Sequence, residues 1–331
     1  MHKFKSLIFV SIALTMAFLL SGCSNQSSGG SGNDWPKGIS VSSATIGGTF
    51  HVYATGWSDI VSKKLNIQSN VEATGGPIPN IELVDRGESE IGLVTMGPAY
   101  EGYNGIGWAE KKYENIRTLF PMYKSYLHWW AMPGADIKSI EDFAGKRIGT
   151  GAAGGTPDYY GQRVFEDLGI ELGRIVNGGY NEYTNLMRDG QLDVASAFAP
   201  TGHPTAVEMI STDKVNIVGV GEKSAELAGK YGITHGVIEA NSYEGQTEDI
   251  PTLTIYSAFI THKDLSEDFV YELVKATFES KEELIKVHQS AAELDPKVVP
   301  EALAGVPMHP GAIRYYEEIG IELPDSVYPK E

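Results

Sequence analysis

The 331-residue chain has a single cysteine, Cys23, which excludes an internal disulfide, a zinc cluster and an iron–sulfur site. Basic residues are scarce: 26 Lys and Arg stand against 43 Asp and Glu, a formal charge of −17. A nucleic-acid surface needs clustered Lys and Arg to displace counterions, so no nucleic-acid partner is expected. No uncharged apolar stretch reaches the ~20 residues that a membrane-spanning helix needs. Catalytic patterns are missing as well, with no GxSxG, no HExxH and no GxxxxGK followed by Ser or Thr. The eight histidines (2, 51, 128, 203, 235, 262, 288 and 309) are scattered, without metal-ligand spacing. The chain does not read as an enzyme, and neither a metal nor a cofactor is expected.

What is present suits a packed protein. Apolar residues make up 42% and aromatics 10%, enough for an ordinary core. The length suggests about two domains. The 38 glycines exceed the average of roughly 7%, so tight turns or ligand-facing loops are expected.

The N-terminus reads as an export segment. Lys3 and Lys5 precede the uncharged run Leu7–Leu20, which is too short to span a bilayer but suits a signal peptide. It ends in Leu20-Ser21-Gly22-Cys23, which looks like a bacterial lipobox; the alternative is a core helix followed by a free thiol. Residues 1–22 are thus expected to be removed. Residues 23–37 would be a lipidated cysteine and a flexible tether, since Ser24–Asp34 is polar throughout. Two acyl chains anchor stably where one does not. The expected location is the outer face of the cytoplasmic membrane or the periplasm.

From Gly38 onward, β-rich runs alternate with helix-period segments, which argues for α/β lobes with largely parallel sheets. Expected strands are 39–44, 71–73, 90–95, 147–149, 192–198 and 215–220. After Ser266, apolar residues from Val270 to Ile285 mark one long amphipathic helix. Thr118–Met132 and Thr252–Thr261 are longer, aromatic and β-branched. They read as crossovers between a first lobe of 38–122 plus 255–331 and a second of 123–254. Two ordinary buried strands in one domain are the alternative. Core packing is expected of at least one of Trp129 and Trp130, and Asp193 reads as a strand-entry acid.

Three places share a strand, a Gly-Gly turn and a helix start: Thr45-Ile46-Gly47-Gly48-Thr49-Phe50, Thr74-Gly75-Gly76-Pro77 and Gly151-Ala152-Ala153-Gly154-Gly155-Thr156-Pro157. Glycine lets the backbone approach a ligand and adopt positive φ. Thr49 and Thr156 are candidate N-caps, and Pro157 suits a first helical position. Helix starts offer free N–H groups and a positive dipole end, so converging starts make a small-anion cleft. Gly149-Thr150-Gly151-Ala152-Ala153-Gly154 also fits GxGxxG, with Glu171 near where a ribose-binding acid would sit. The strand before it has only Ile148 as a large apolar residue, which argues against a dinucleotide site. His203, after an apolar strand, is either a donor to a ligand or a structural loop histidine.

Several stretches together resemble the TAXI family, the solute receptors of tripartite ATP-independent periplasmic (TRAP) transporters. They are Gly47–Phe50, Ala73–Gly76, Arg86–Thr95, Ile137–Arg147, Gly151–Thr156, Asp189–Asp193, Gly202–Pro204 and Val306–Ile313. The resemblance implies a type II periplasmic-binding-protein fold, with two α/β lobes joined by crossover strands and a ligand cleft between them. It implies a monomer that delivers a small carboxylate, of the glutamate or 2-oxoglutarate kind, to a TRAP membrane permease. Carried over by position, the ligand-binding candidates are Gly48, Thr49, Phe50, Thr74, Gly75, Gly76, Thr95, Gly155, Thr156 and His203. Phe50 and Tyr123 would cover the apolar part of the ligand. Thr95-Met96-Gly97-Pro98, Pro77 and Pro79 depart from the polar residues usual there.

Two other readings remain at this level. One is the binding component of an ABC importer for sulfonates or thiamine precursors; the other is a lipid-anchored sensor or enzyme. In each case the acidic surface should slow capture of anions in dilute buffer, a penalty that vanishes in molar salt, where the Debye length is ~3 Å.

Overall fold

The computed structural model describes residues 35–303 and 305–329. The export segment, Cys23 and the tether up to Asp34 lie outside them. Among the described residues no helix is long and apolar enough to cross a membrane.

The chain begins with repeated strand–helix units. In order these are β1 (Gly38–Ser42), α1 (Thr49–Leu65), β2 (Gln68–Glu72), α2 (Pro77–Asp85), β3 (Ile91–Thr95) and α3 (Met96–Asn104). The long β4 (Ile116–Ala131) follows, then β5 (Arg147–Gly151), α4 (Thr156–Asp167), β6 (Arg174–Asn177), α5 (Tyr180–Arg188), β7 (Val194–Ala199) and α6 (Pro204–Asp213). After β8 (Asn216–Val218), α7 (Ser224–Tyr231) and β9 (Thr234–Ile238) comes the second long strand, β10 (Ile250–His262). Helices α8 (Glu267–Glu279), α9 (Lys281–Val287), α10 (Val299–Ala302) and α11 (Pro310–Glu318) complete the chain.

All strands join one sheet in the order β2-β1-β3-β10-β4-β7-β5-β6, with β8 on β4 and β9 on β10. Its two ends are parallel: β1 pairs with β2 and β3, and β5 with β6 and β7. The middle is antiparallel, because β4 and β10 run against each other and against every other neighbour. The expected largely parallel sheet is therefore corrected to a mixed one. The inner strands β3 (IGLVT) and β7 (VASAFA) are buried throughout and read as apolar runs, whereas the edge strands β2 (QSNVE) and β6 (RIVN) alternate or face solvent.

Each long strand serves both ends of the sheet. β4 pairs with β10 as far as Tyr126, opposite Thr254, and with β7 from Tyr126 to Ala131. β10 pairs with β9 over Ile250–Thr254 and with β3 over Ser257–Thr261. Ser125 and Ser257 share a buried 2.8 Å hydrogen bond between the two strands. The boundaries expected at 122/123 and 254/255 both fall inside these strands.

Aromatic packing holds each end. Trp57 of α1 and Phe120 of β4 each lie 4.6 Å from Phe259 of β10, and Trp57 Nε1 donates to Thr277 Oγ1 of α8 at 2.9 Å. At the other end, Trp129 lies 5.4 Å from both Phe143 and Phe165. The long helix expected after Ser266 is in fact two. The Ser280 hydroxyl bonds back to the Ala276 carbonyl at 2.6 Å, and φ −101° at Ser280 ends α8 before α9 begins. A serine that bonds back into its own helix weakens the ladder where it should continue.

Candidate functional site

Five strand–turn–helix units open on one cavity. Helices α1, α2, α4, α5 and α6 begin after the N-cap residues Gly48, Gly76, Gly155, Gly179 and His203, and none of these has a side-chain cap hydrogen bond. The first N–H groups of a helix have no partner within it, and the aligned peptides leave about half a positive charge there. The cavity has about 490 Å³ of empty volume and is lined by residues of all five units, including Gly48, Thr49 and Phe50, Gly75 to Pro77, Gly155 to Pro157, Tyr180 and His203. Among the described residues, no Asp, Glu, Lys or Arg belongs to its lining.

The caps differ from those expected. Thr49 and Thr156 are the first helical residues, preceded by glycine caps, and Pro157 is the second. Because neither threonine folds back onto its own helix, its hydroxyl is available elsewhere. Thr49 Oγ1 is buried without a partner, and Thr156 Oγ1 meets Thr95 Oγ1 at 2.9 Å.

Glycine is required where the loops meet. Gly76 has φ 107° and ψ −151°, a conformation that L side chains rarely adopt. A β-carbon on Gly155 would sit 3.2 Å from the Gly75 carbonyl oxygen, so α2 and α4 begin with their turns in contact.

His203 is held in an aromatic box, stacked on Trp130 with centroids 5.2 Å apart and with Tyr180 edge-on at 4.4 Å. It is 1% exposed, and neither ring nitrogen has a partner. Burial holds its pKa well below the ordinary histidine value, so the ring is neutral. Behind it, His128 Nδ1 donates to the Tyr126 carbonyl at 2.9 Å, which leaves Nε2 to accept from Tyr243 OH at 2.9 Å. Burial lowers the His128 pKa to about 4. Tyr123 is buried, packs edge-on against Tyr53 at 5.7 Å, and its hydroxyl has no partner. Desolvation pushes that phenol well above its ordinary value.

Nine of the eleven expected ligand residues line this cavity: Gly48, Thr49, Phe50, Gly75, Gly76, Tyr123, Gly155, Thr156 and His203. Thr74 and Thr95 do not. The Thr74 hydroxyl donates to Asn80 Oδ1 at 2.6 Å and accepts from Gly76 N at 3.1 Å, so it shapes the turn. Thr95 orients Thr156 from behind. Asn80, which the sequence reading missed, donates to the carbonyls of Ser43 (2.6 Å) and Leu93 (2.7 Å) and ties α2 to the ends of β1 and β3. Tyr180 was also missed, although Gly178-Gly179 before it repeats the double-glycine signal.

The first glycine of the GxGxxG run has a packing role. A β-carbon on Gly149 would sit 2.8 Å from the Tyr183 ring, and Gly151 N donates to Tyr183 OH at 2.9 Å. Glu171 is exposed. Asp193 pairs with Arg147 at the entry to β7, the position expected of it. Of the tryptophan pair, Trp129 packs in the core and Trp130 stacks on the cavity-lining His203.

A family model described as the NMT1-like family matches residues 41–320. The fold is similar to that of the periplasmic binding protein BugD (14% identity, covering 88% of this chain and 100% of that one, TM-score 0.51). It is also similar to a periplasmic transporter (14%, 85% and 92%, TM-score 0.51) and to an ancestral arginine-binding protein bound to arginine (15%, 77% and 97%, TM-score 0.50). The fold is thus the α/β periplasmic-binding-protein type. The assignment to the TAXI receptors of TRAP transporters is overturned by the family match, and the TRAP permease falls with it as a partner. The double-glycine stretches among those on which that assignment rested encode helix-start geometry, which does not distinguish one family of this fold from another.

Proposed function

The chain belongs to the NMT1-like family, and from that membership and the cavity we propose an extracytoplasmic solute-binding protein, the capture component of an ABC-type importer. The proposed solute is a small organic anion. The observation that carries this reading is the convergence of five uncapped helix starts on a cavity whose lining has no charged side chain. Oriented N–H groups in a partly dry cleft hold a carboxylate or sulfonate through charge-assisted hydrogen bonds. Phe50, Tyr123 and Phe198 supply the wall for its apolar part. Binding makes and breaks no covalent bond, and closure follows from the ligand's greater affinity for the closed form. Lipidation at Cys23 would keep the receptor at the membrane beside its importer.

The test is a thermal-unfolding scan of protein stripped of carried-over ligand by unfolding and refolding. The panel holds small carboxylates, sulfonates and thiamine precursors. A ligand at one hundred times its dissociation constant stabilises by about 2.7 kcal/mol, which corresponds to roughly 5–10 °C. A shift of that size with an anion is the expected result. Silence across the panel would remove the solute-binding reading.

A further inference from the structure

We propose that the solute is an acceptor-rich anion with no ammonium group, so that this cavity rejects 2-amino acids. The proposal rests on the solute-binding reading and narrows its substrate class.

It follows from what the lining can and cannot offer. Thr49 Oγ1, Tyr123 OH and both ring nitrogens of His203 have no partner, and each of these side chains is at most 3% exposed. Buried polar groups are normally satisfied, and these are the unpartnered ones whose residues line the cavity, so a bound molecule is the partner available to them. Two of the three side chains are hydroxyls that can donate, and a neutral imidazole donates through one nitrogen. The helix starts add N–H donors, fewer at α2, α4 and α6, where Pro77, Pro79, Pro157 and Pro204 have none. The second nitrogen of His203 is the one unpartnered side-chain atom that can only accept; each hydroxyl can accept as well as donate, but none carries the negative charge that a desolvated ammonium requires.

An ammonium needs the opposite surroundings. It brings three donors and a positive charge, and once desolvated it requires a carboxylate or several acceptors. No carboxylate lines the cavity. Asp158, in the first turn of α4, is already engaged by Thr150 Oγ1 (2.7 Å), Gln162 Nε2 (2.7 Å), Asn177 Nδ2 (2.8 Å) and Gly154 N (3.3 Å). The positive helix ends would also repel the ammonium at the position where they attract the acid group. His203 carries no negative charge in either protonation state, so it cannot act as a counter-ion and offers an ammonium at most one acceptor nitrogen. A site whose buried polar groups are left mispaired discriminates far more sharply than one that merely differs in shape.

The experiment is calorimetric titration of the full-length chain, stripped of ligand, with sets of acids that share a carbon skeleton. Each set contains the 2-oxo, 2-hydroxy, unsubstituted and 2-amino forms, on three-carbon, branched five- and six-carbon, five-carbon dicarboxylate and phenylpropanoid skeletons. Methanesulfonate, taurine and an aminopyrimidine complete the panel. In the set that binds best, the 2-amino member should bind at least ~100-fold more weakly than the 2-oxo or unsubstituted member. Methanesulfonate in preference to taurine would support the proposal in the same way. A 2-amino acid or taurine that matches its ammonium-free partner would overturn the proposal and leave the solute-binding reading standing, as would binding of the aminopyrimidine alone. No binding by any compound would overturn both.

Discussion

The two sides of the cavity hold it by different means. On the side of β1 and β2, the lining is mostly turn backbone: Gly48, Gly75 and Gly76, with one free hydroxyl from Thr49. On the side of β5, β6 and β7, the principal group is a side chain, His203, fixed by Trp130 and Tyr180. Backbone donors carry no titratable proton and can be removed only by a proline, or displaced by a change in the turn. An imidazole can be deleted, and it has a protonation state that burial must hold. The first side should therefore be sensitive to conformational change and indifferent to acid, and the second the reverse.

The largest effect is expected from Gly76→Ala. At φ 107° a methyl group forces the turn out of position, at a cost of about 1–3 kcal/mol. Stability should fall, and ligand affinity should fall by more than tenfold, both measured in one thermal-shift titration. Wild-type affinity in this variant would show that the turn is not a ligand contact.

His203→Ala comes next. Loss of one buried hydrogen bond to a charged ligand costs about 1.5–3 kcal/mol, so affinity should drop roughly 10- to 100-fold. The unliganded protein should also lose some stability, because truncation empties the box between Trp130 and Tyr180, so the affinity loss is measured at a temperature where the variant is fully folded. A large fall in unfolding temperature with unchanged affinity would make His203 a packing residue.

Acid should act through the histidines. Burial lowers the pKa of His128 and His309 to about 4 and that of His203 well below 6.5. Between pH 6.5 and 4 the unfolded chain therefore binds more protons than the folded one. Stability is full above pH 6.5 and declines as the pH falls through that window. Unfolding at pH 5.5 should take up protons; no uptake in a buffer-dependence measurement would contradict the neutral assignment.

The smallest effect is kinetic. With a formal charge of −17, the whole surface repels an anion at long range, so association should quicken a few-fold from dilute buffer to molar salt. Stopped-flow rates that do not change with salt would show that the field at the cavity mouth is set by the helix ends alone.

Much of this site could be read along the chain, because a strand entering Gly-Gly and then a helix is a local pattern with a local cause. The same rule applied to Gly178-Gly179-Tyr180 would have found the fourth unit. Thr74 and Thr95 were misplaced because sequence shows that a hydroxyl lies near a turn and not what it bonds. Their partners, Asn80 and Thr156, lie 6 and 61 residues away. The break at Ser280 was missed because apolar periodicity continues across it, whereas the break is a hydrogen-bonding choice by one side chain.

The sequence by itself determined the α/β class, the three double-glycine turns, the acidic surface and the two long strands, since each depends on neighbours in the chain or on composition. Only the tertiary structure decided that five helix starts share one cavity, that its lining has no charged side chain, and that His203 lies on Trp130. Those facts come from the pairing of β4 and β10 with strands from both parts of the chain. Which residues such a pairing brings face to face depends on register across more than a hundred residues, and no local pattern encodes it.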